Sequence, residues 1–122
     1  MESIAIIGAS SNREKFSNKC VRAYLSKGYK VFPVNPNEES VEGIKCFDYI
    51  TEINEEIDIV SIYVKNEILE KLTEGIIAKK PGLVYFNPGT ENKEALWKFR
   101  NSGIRVLEEC SILAIGIMPS SL

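Results

Sequence analysis

The sequence predicts an α/β domain, a doubly wound three-layer sandwich around a mostly parallel sheet of about five strands. Three observations carry this prediction: five short apolar runs, amphipathic helical patterns between most of them, and a length of 122 residues that suits one domain spanning 1–122. Strand–helix alternation requires right-handed crossovers, and these make a sheet parallel with helices on both faces. The runs are Ile4–Ile7, Lys30–Val34, Asp58–Val64, Leu83–Phe86 and Arg105–Leu107. They are rich in Val, Ile, Phe and Tyr and mostly lack strict polar alternation, as strands covered on both faces do.

Taken in order, the first run leads through a polar loop into a helix whose Phe16, Cys20, Val21, Tyr24 and Leu25 share one face, stopped by Gly28. After the second run, the stretch from Asn35 to Ile57 contains Pro36, Asn37 and Gly43. It then offers Ile44–Phe47 as a short extra edge strand and a short helix or turn around Tyr49–Ile53. The third run precedes a helix with Asn66 as N-cap, a stripe of Ile68, Leu69, Leu72, Ile76 and Ile77, and a stop at Pro81-Gly82. The fourth precedes a helix capped by Asn92, with Ala95, Leu96 and Phe99 inward and Gly103 as its end. The expected strand order is 3-2-1-4-5, with Ile4–Ile7 central and the order reversing beside it. In the tail, Ile112–Ile117 is expected to pack and the last few residues to be loose.

Composition narrows the function. The formal net charge of −2 speaks against a nucleic-acid binder, which would display a basic surface. No apolar run approaches the roughly 18 to 20 residues of a membrane span. Met1-Glu2-Ser3 leads straight into a strand without a basic flank, so the expectation is a cytoplasmic protein without a signal peptide. Cys20, Cys46 and Cys110 form no CxxC pair and read as reduced, buried thiols. With no histidine, the commonest general base and metal ligand are missing, and no catalytic constellation is recognisable. A metal site is not expected, and a binding module is favoured over an enzyme.

In open sheets of this kind, ligands bind beyond the carboxyl ends of the strands where the order reverses. The loops there are Gly8–Phe16, Asn35–Asn37, Val64–Asn66 and Asn87–Thr90. Gly8 allows a sharp turn that brings peptide N–H groups to an anion, and the helix starting near Phe16 adds its dipole. Ser10, Ser11 and Asn12 add side-chain donors, while Arg13 and Lys15 are candidate counter-charges. Only one glycine of G-x-G-x-x-G is present and no Gly-Lys-Ser/Thr follows, so a plain strand-to-helix turn fits the spacing equally well. At the second loop a nicotinamide dinucleotide site would want an acid on the ribose, yet the residues are Pro33-Val34-Asn35-Pro36. Two prolines there make a stiff apolar wall suited to an adenine, or simply a stiff turn.

Together, Ile6-Ile7-Gly8-Ala9-Ser10, Lys15-Phe16, Gly28-Tyr29-Lys30-Val31, Val34-Asn35-Pro36, Gly43-Ile44-Lys45-Cys46 and Asn87-Pro88-Gly89 resemble the stand-alone CoA-binding proteins. Those proteins are similar in turn to the nucleotide domain of the succinyl-CoA synthetase α subunit. The resemblance implies a Rossmann-like fold that binds coenzyme A, free or acylated, without catalysis. It implies that Gly8, Ala9, Ser10 and Asn12 meet the diphosphate, with Lys15 as a nearby cation beside Phe16. Val34, Asn35 and Pro36 would hold the adenosine, Val64 and Lys65 would line the pantetheine path, and Pro88 and Gly89 would border its far end. Asn37-Glu38-Glu39 follows the turn, and its charge would oppose a phosphate on the ribose. The other readings of these residues are an NAD(P)-dependent oxidoreductase, an adenine-nucleotide-sensing domain, and an interaction scaffold whose site has decayed.

Overall fold

A computed structural model describes residues 2–122. The elements run β1 (Ser3–Ile7), α1 (Phe16–Ser26), β2 (Lys30–Val34), β3 (Ser40–Val41), β4 (Ile44–Lys45), β5 (Ile59–Ile62), α2 (Asn66–Ala78), β6 (Leu83–Phe86), α3 (Lys93–Asn101) and β7 (Arg105–Leu107). Five strands form one parallel sheet in the order β2-β1-β5-β6-β7, and β3 and β4 form a small antiparallel hairpin. This is the doubly wound α/β architecture that the alternation predicts.

Counted over the five parallel strands, the order is 2-1-3-4-5, not 3-2-1-4-5. The third strand lies beside the first because the outer edge of β2 is already taken. Phe47 forms a parallel bridge with Val34 there; its N–H donates to the Pro33 carbonyl at 3.0 Å and its carbonyl accepts from Asn35 N–H at 2.8 Å. The extra edge strand is therefore a hairpin, Ser40–Val41 with Ile44–Lys45, followed by one bridging residue. A 3-10 turn at Ile50–Glu52 fills the place expected for a short helix. The middle strand is therefore β5 and not Ile4–Ile7 as expected, although the order still reverses beside β1.

Alternation along β1 divides the core in two. Ala5 and Ile7 pack with Leu69, Ile76, Phe86 and Phe99 beneath α2 and α3, whereas Ile4 and Ile6 pack with Cys20, Val21, Tyr24 and Ile112 beneath α1 and the tail. The buried face of α1 omits two residues of its predicted stripe, for Phe16 is 57% and Leu25 38% exposed. Phe16 opens the helix, and Leu25 sits in its last turn. The third strand is shorter than Asp58–Val64, and its first predicted residue works as a tie: the Asp58 carboxylate accepts from Ser3 N–H at 2.8 Å. Asn66 is the first residue of α2 rather than its cap, while Asn92 caps α3 as expected, accepting from Ala95 N–H at 3.0 Å. Ile112, Ile115, Ile117 and even Leu122 pack on the α1 face, so the end of the tail is held, not loose.

Register sets the site. Ile7 is level with Val34 on one side and Ile62 on the other, and Ile62 with Phe86. The loops after four strands thus leave the sheet at one height.

Candidate functional site

Gly8 carries the turn out of β1 at φ +87, the left-handed region that an L side chain enters at a cost. It also sits against β5, because a Cβ built there would lie 2.8 Å from both the Tyr63 carbonyl oxygen and Val64 Cγ1. The Gly8 and Ala9 N–H groups donate to the Val34 carbonyl at 2.8 and 3.3 Å. Asn35 completes this junction: its amide donates to the Ala9 carbonyl at 2.8 Å, and its Oδ1 accepts from Asn37 N–H at 2.9 Å. The residue expected to hold adenosine is thus first a staple between two loops.

Beyond Ala9 the loop is shaped by its own polar side chains. Ser10 Oγ accepts from Asn12 N–H at 3.1 Å and Asn12 Oδ1 from Glu14 N–H at 3.0 Å, while Asn18 donates to the Ser10 carbonyl at 2.9 Å. Such side-chain-to-backbone bonds are what Ser and Asn offer in place of helix. Lys15 stands at the N-cap of α1 without a side-chain acceptor, which leaves the opening turn of that helix uncapped. Arg13 pairs with Glu42 at 3.5 Å. Ser11 donates its N–H and Oγ to one carboxylate oxygen of Glu38, at 2.8 and 3.1 Å.

Two hollows open at this end of the sheet. The larger, about 420 Å³, has Ile7, Gly8 and Val34 as its floor and Asn35, Pro36 and Asn37 as one wall. Val64, Ile68 and Leu72 make the facing wall, with Asp48, Tyr49 and Lys71 also lining it. The smaller, about 150 Å³, lies beside the start of α1 and is lined by Phe16, Tyr63, Asn87, Pro88 and Cys110. Tyr63 and Val64, pressed against Gly8, stand between them. Under the smaller hollow runs a buried network: Asn87 donates to Ser61 Oγ at 2.8 Å and to the Ile62 carbonyl at 2.9 Å, and its Oδ1 accepts from Ser111 N–H at 2.9 Å and Oγ at 3.0 Å. Tyr24 OH donates to the Ser111 carbonyl at 2.7 Å.

Of the residues singled out by sequence, Gly8, Val34, Asn35, Pro36 and Val64 meet in the larger hollow, and Phe16 and Pro88 in the smaller. Ala9, Ser10, Asn12, Lys15, Lys65 and Gly89 line neither. Ala9 and Ser10 are buried in the turn, whereas Asn12, Lys15, Lys65 and Gly89 are exposed beside it. Sequence reasoning missed Asp48, Tyr49, Ile68, Lys71 and Leu72 as lining. A signal existed for two of these: the opening turns of a crossover helix stand at the carboxyl ends of the strands, so Leu72 faces the crevice as well as the core, whereas Ile68, expected in the buried stripe, is 47% exposed and lines the crevice alone.

Burial pushes the Cys20 thiol up to about 11, its side-chain hydrogen bonding with Ser111, Tyr63 and Ser61 only partly opposing it. Burial likewise raises Cys46 and the hydroxyl of Tyr63. Cys110 departs from the expectation of three buried thiols and is half-exposed, since it borders the smaller hollow. Iodoacetamide at neutral pH is therefore expected to modify Cys110 first and Cys20 last, since reactivity follows thiolate fraction and access; peptide mapping by mass spectrometry checks the order. Among the described residues no group of three or more His, Cys, Asp or Glu is placed to hold a metal ion, and no helix is long and apolar enough to cross a membrane.

Comparison with known proteins gives this geometry a context. A family model described as a CoA binding domain matches residues 2–116. The protein YneT of Bacillus subtilis (strain 168) is 28% identical over 109 residues, covering 89% of this chain and 81% of that protein. The ADP-forming acetate–CoA ligase of Methanocaldococcus jannaschii is 32% identical over 73 residues, 60% of this chain but 10% of the ligase. A solved structure of a hypothetical protein from Pyrococcus horikoshii OT3 matches with a TM-score of 0.86 and 33% identity, over 90% of this chain and 78% of that one.

Proposed function

The chain belongs to the CoA-binding domain family, and from that premise we propose that it binds coenzyme A, free or acylated, across the two hollows at the switch point. The observation that carries this reading is their placement at the carboxyl ends of β1 and β5, on either side of the contact between Gly8 and Tyr63–Val64. A ligand with a nucleoside head, an anionic middle and a long thin arm suits such a divided site.

In this reading the adenosine enters the larger hollow. Its base lies between the Pro36 wall and the apolar Ile68 and Leu72, with Tyr49 beside it. The diphosphate lies along the loop from Gly8 to Asn12, where Ala9 and Ser10 fix the backbone, with the uncapped turn of α1 and the Lys15 ammonium supplying positive potential. The pantetheine arm passes Val64 and Lys65 and ends in the smaller hollow against Phe16, Pro88 and Gly89. A nicotinamide dinucleotide is the poorer fit: the end of β2 has no carboxylate, and both polar atoms of the Asn35 side chain are engaged within the protein.

Titration calorimetry with CoA, dephospho-CoA, NAD and AMP tests the reading. CoA and dephospho-CoA are expected to bind at least about ten-fold more tightly than NAD or AMP, a difference of about 1.4 kcal/mol. Preferential binding of NAD, or no binding of either CoA form, overturns it. Saturating CoA is further expected to slow alkylation of Cys110. Exchanging Asn35 for Asp sets a carboxylate oxygen against the Ala9 carbonyl and removes a donor. That exchange is expected to weaken CoA binding about ten-fold and lower stability by about 1–3 kcal/mol, read from calorimetry and a denaturant melt.

A further inference from the structure

We infer that Glu38 is an internal occupant of the anion seat, a carboxylate that the ligand's phosphate must displace from the Ser11 donors, and that it holds down the affinity of this chain for anionic ligands. The inference rests on the CoA reading and deepens it by naming what competes with the ligand.

The loop's outer peptide N–H, at Ser11, and the hydroxyl beside it converge on one oxygen of a residue that lies 27 positions away. Two donors meeting on a single anionic oxygen is the arrangement a phosphate oxygen would take at the same loop. The turn aims the carboxylate there: Glu38 N–H donates to the Asn35 carbonyl at 3.3 Å, and Asn35 is itself tied to Ala9. Among the described residues Glu38 makes no ion pair, and the nearby Arg13 guanidinium is turned to Glu42. Its charge is therefore answered by dipoles of the loop rather than by a cation. The contact is exposed, so water can replace it at small cost and the carboxylate can leave. One N–H cannot serve a carboxylate and a phosphate together, and a displaced carboxylate tethered beside the diphosphate still repels it.

Glu38→Gln keeps the shape and one acceptor while removing the charge. Glu39→Gln removes the same charge one residue away, where no bond to Ser11 exists. Calorimetry with CoA is expected to show about five-fold tighter binding for Glu38→Gln and less than about two-fold for Glu39→Gln. In ¹⁵N-resolved NMR spectra of the free protein, the Ser11 amide resonance is expected to shift in Glu38→Gln and, in the wild-type chain, on addition of CoA. Unchanged or weaker binding by Glu38→Gln, equal gains in both variants, or a Ser11 resonance indifferent to both perturbations overturns the inference while leaving CoA binding intact. Failure of CoA to bind any of the three proteins instead removes the CoA reading, and this inference with it.

Discussion

Alanine at Gly8 is expected to cost the fold about 3–4 kcal/mol and to lower CoA affinity at least ten-fold. Two penalties add. A side chain at φ +87 carries a left-handed backbone cost of about 1–2 kcal/mol. The new methyl would also sit 2.8 Å from the Tyr63 carbonyl oxygen, and this backbone, one residue past β5, is held to β1 by the Tyr63 N–H bond to the Ile7 carbonyl at 2.9 Å and cannot readily swing aside. The strand end must then part from β5, which moves Val64 and opens the floor of the larger hollow. For a domain of this size the loss corresponds to a fall in Tm of roughly 10–15 °C. Gly28→Ala is the control, because Gly28 has a similar φ of +83 with nothing within 4 Å of its Cβ. It should lose only about 1 kcal/mol and bind CoA normally. Equal losses in the two variants would show that the close approach of β1 to β5 does not exist.

Leucine at Asn87 is expected to be nearly as damaging, by a different route. Asn87 is 2% exposed and its four hydrogen bonds join β5, β6 and the tail through Ser61, the Ile62 carbonyl and Ser111. An apolar side chain of similar volume would leave the Ile62 carbonyl and Ser111 N–H without these partners, at about 1–3 kcal/mol each. Thermal unfolding should fall by roughly 10 °C or more. Aspartate at the same position should be worse near neutral pH, since a buried carboxylate would face the Ile62 carbonyl that now receives an N–H. A drop in Tm below about 3 °C for Asn87→Leu would mean that the network does not secure the tail.

These two residues show what the sequence does and does not make legible. Gly8 is readable because a single glycine after an apolar strand and before an amphipathic helix has few other uses. Its clash partner is unreadable, since which strand lies beside β1 depends on what occupies the far edge of β2. Phe47 decides that with one bridge, too small a feature for periodicity to reveal, and so the expected strand order errs in the placement of the third strand. Asn87 belongs to a recognisable Asn-Pro-Gly turn, yet its burial follows from the return of Ser111 beneath it, and a tail of mixed apolar and small residues gives no such hint. The strands and the helices are local properties and are legible, while the common height of their loops depends on the register between strands. Charge placement was half legible: the negative character of Asn37-Glu38-Glu39 is plain in the sequence, whereas the reach of Glu38 back to Ser11 requires the folded turn.

The first strand has an uneven pair of neighbours. On one side β1 meets β2 soon after α1, but on the other it waits for residues such as Asp58, 55 positions downstream of Ser3. During synthesis on a ribosome, therefore, a chain ending before Ile59 has no partner for that side and no Val64 to close the crevice. Pairing of β1 with β5 and the seating of Val64 beside Gly8 therefore belong to one step, which follows the local pairing of β1 with β2, in keeping with the slower closure of distant pairings. Any molecule that fits the crevice can then engage only chains that extend past its lining residues, Leu72 for the larger hollow and Cys110 for the smaller, so its concentration shifts the balance toward them by mass action rather than by guiding an earlier step.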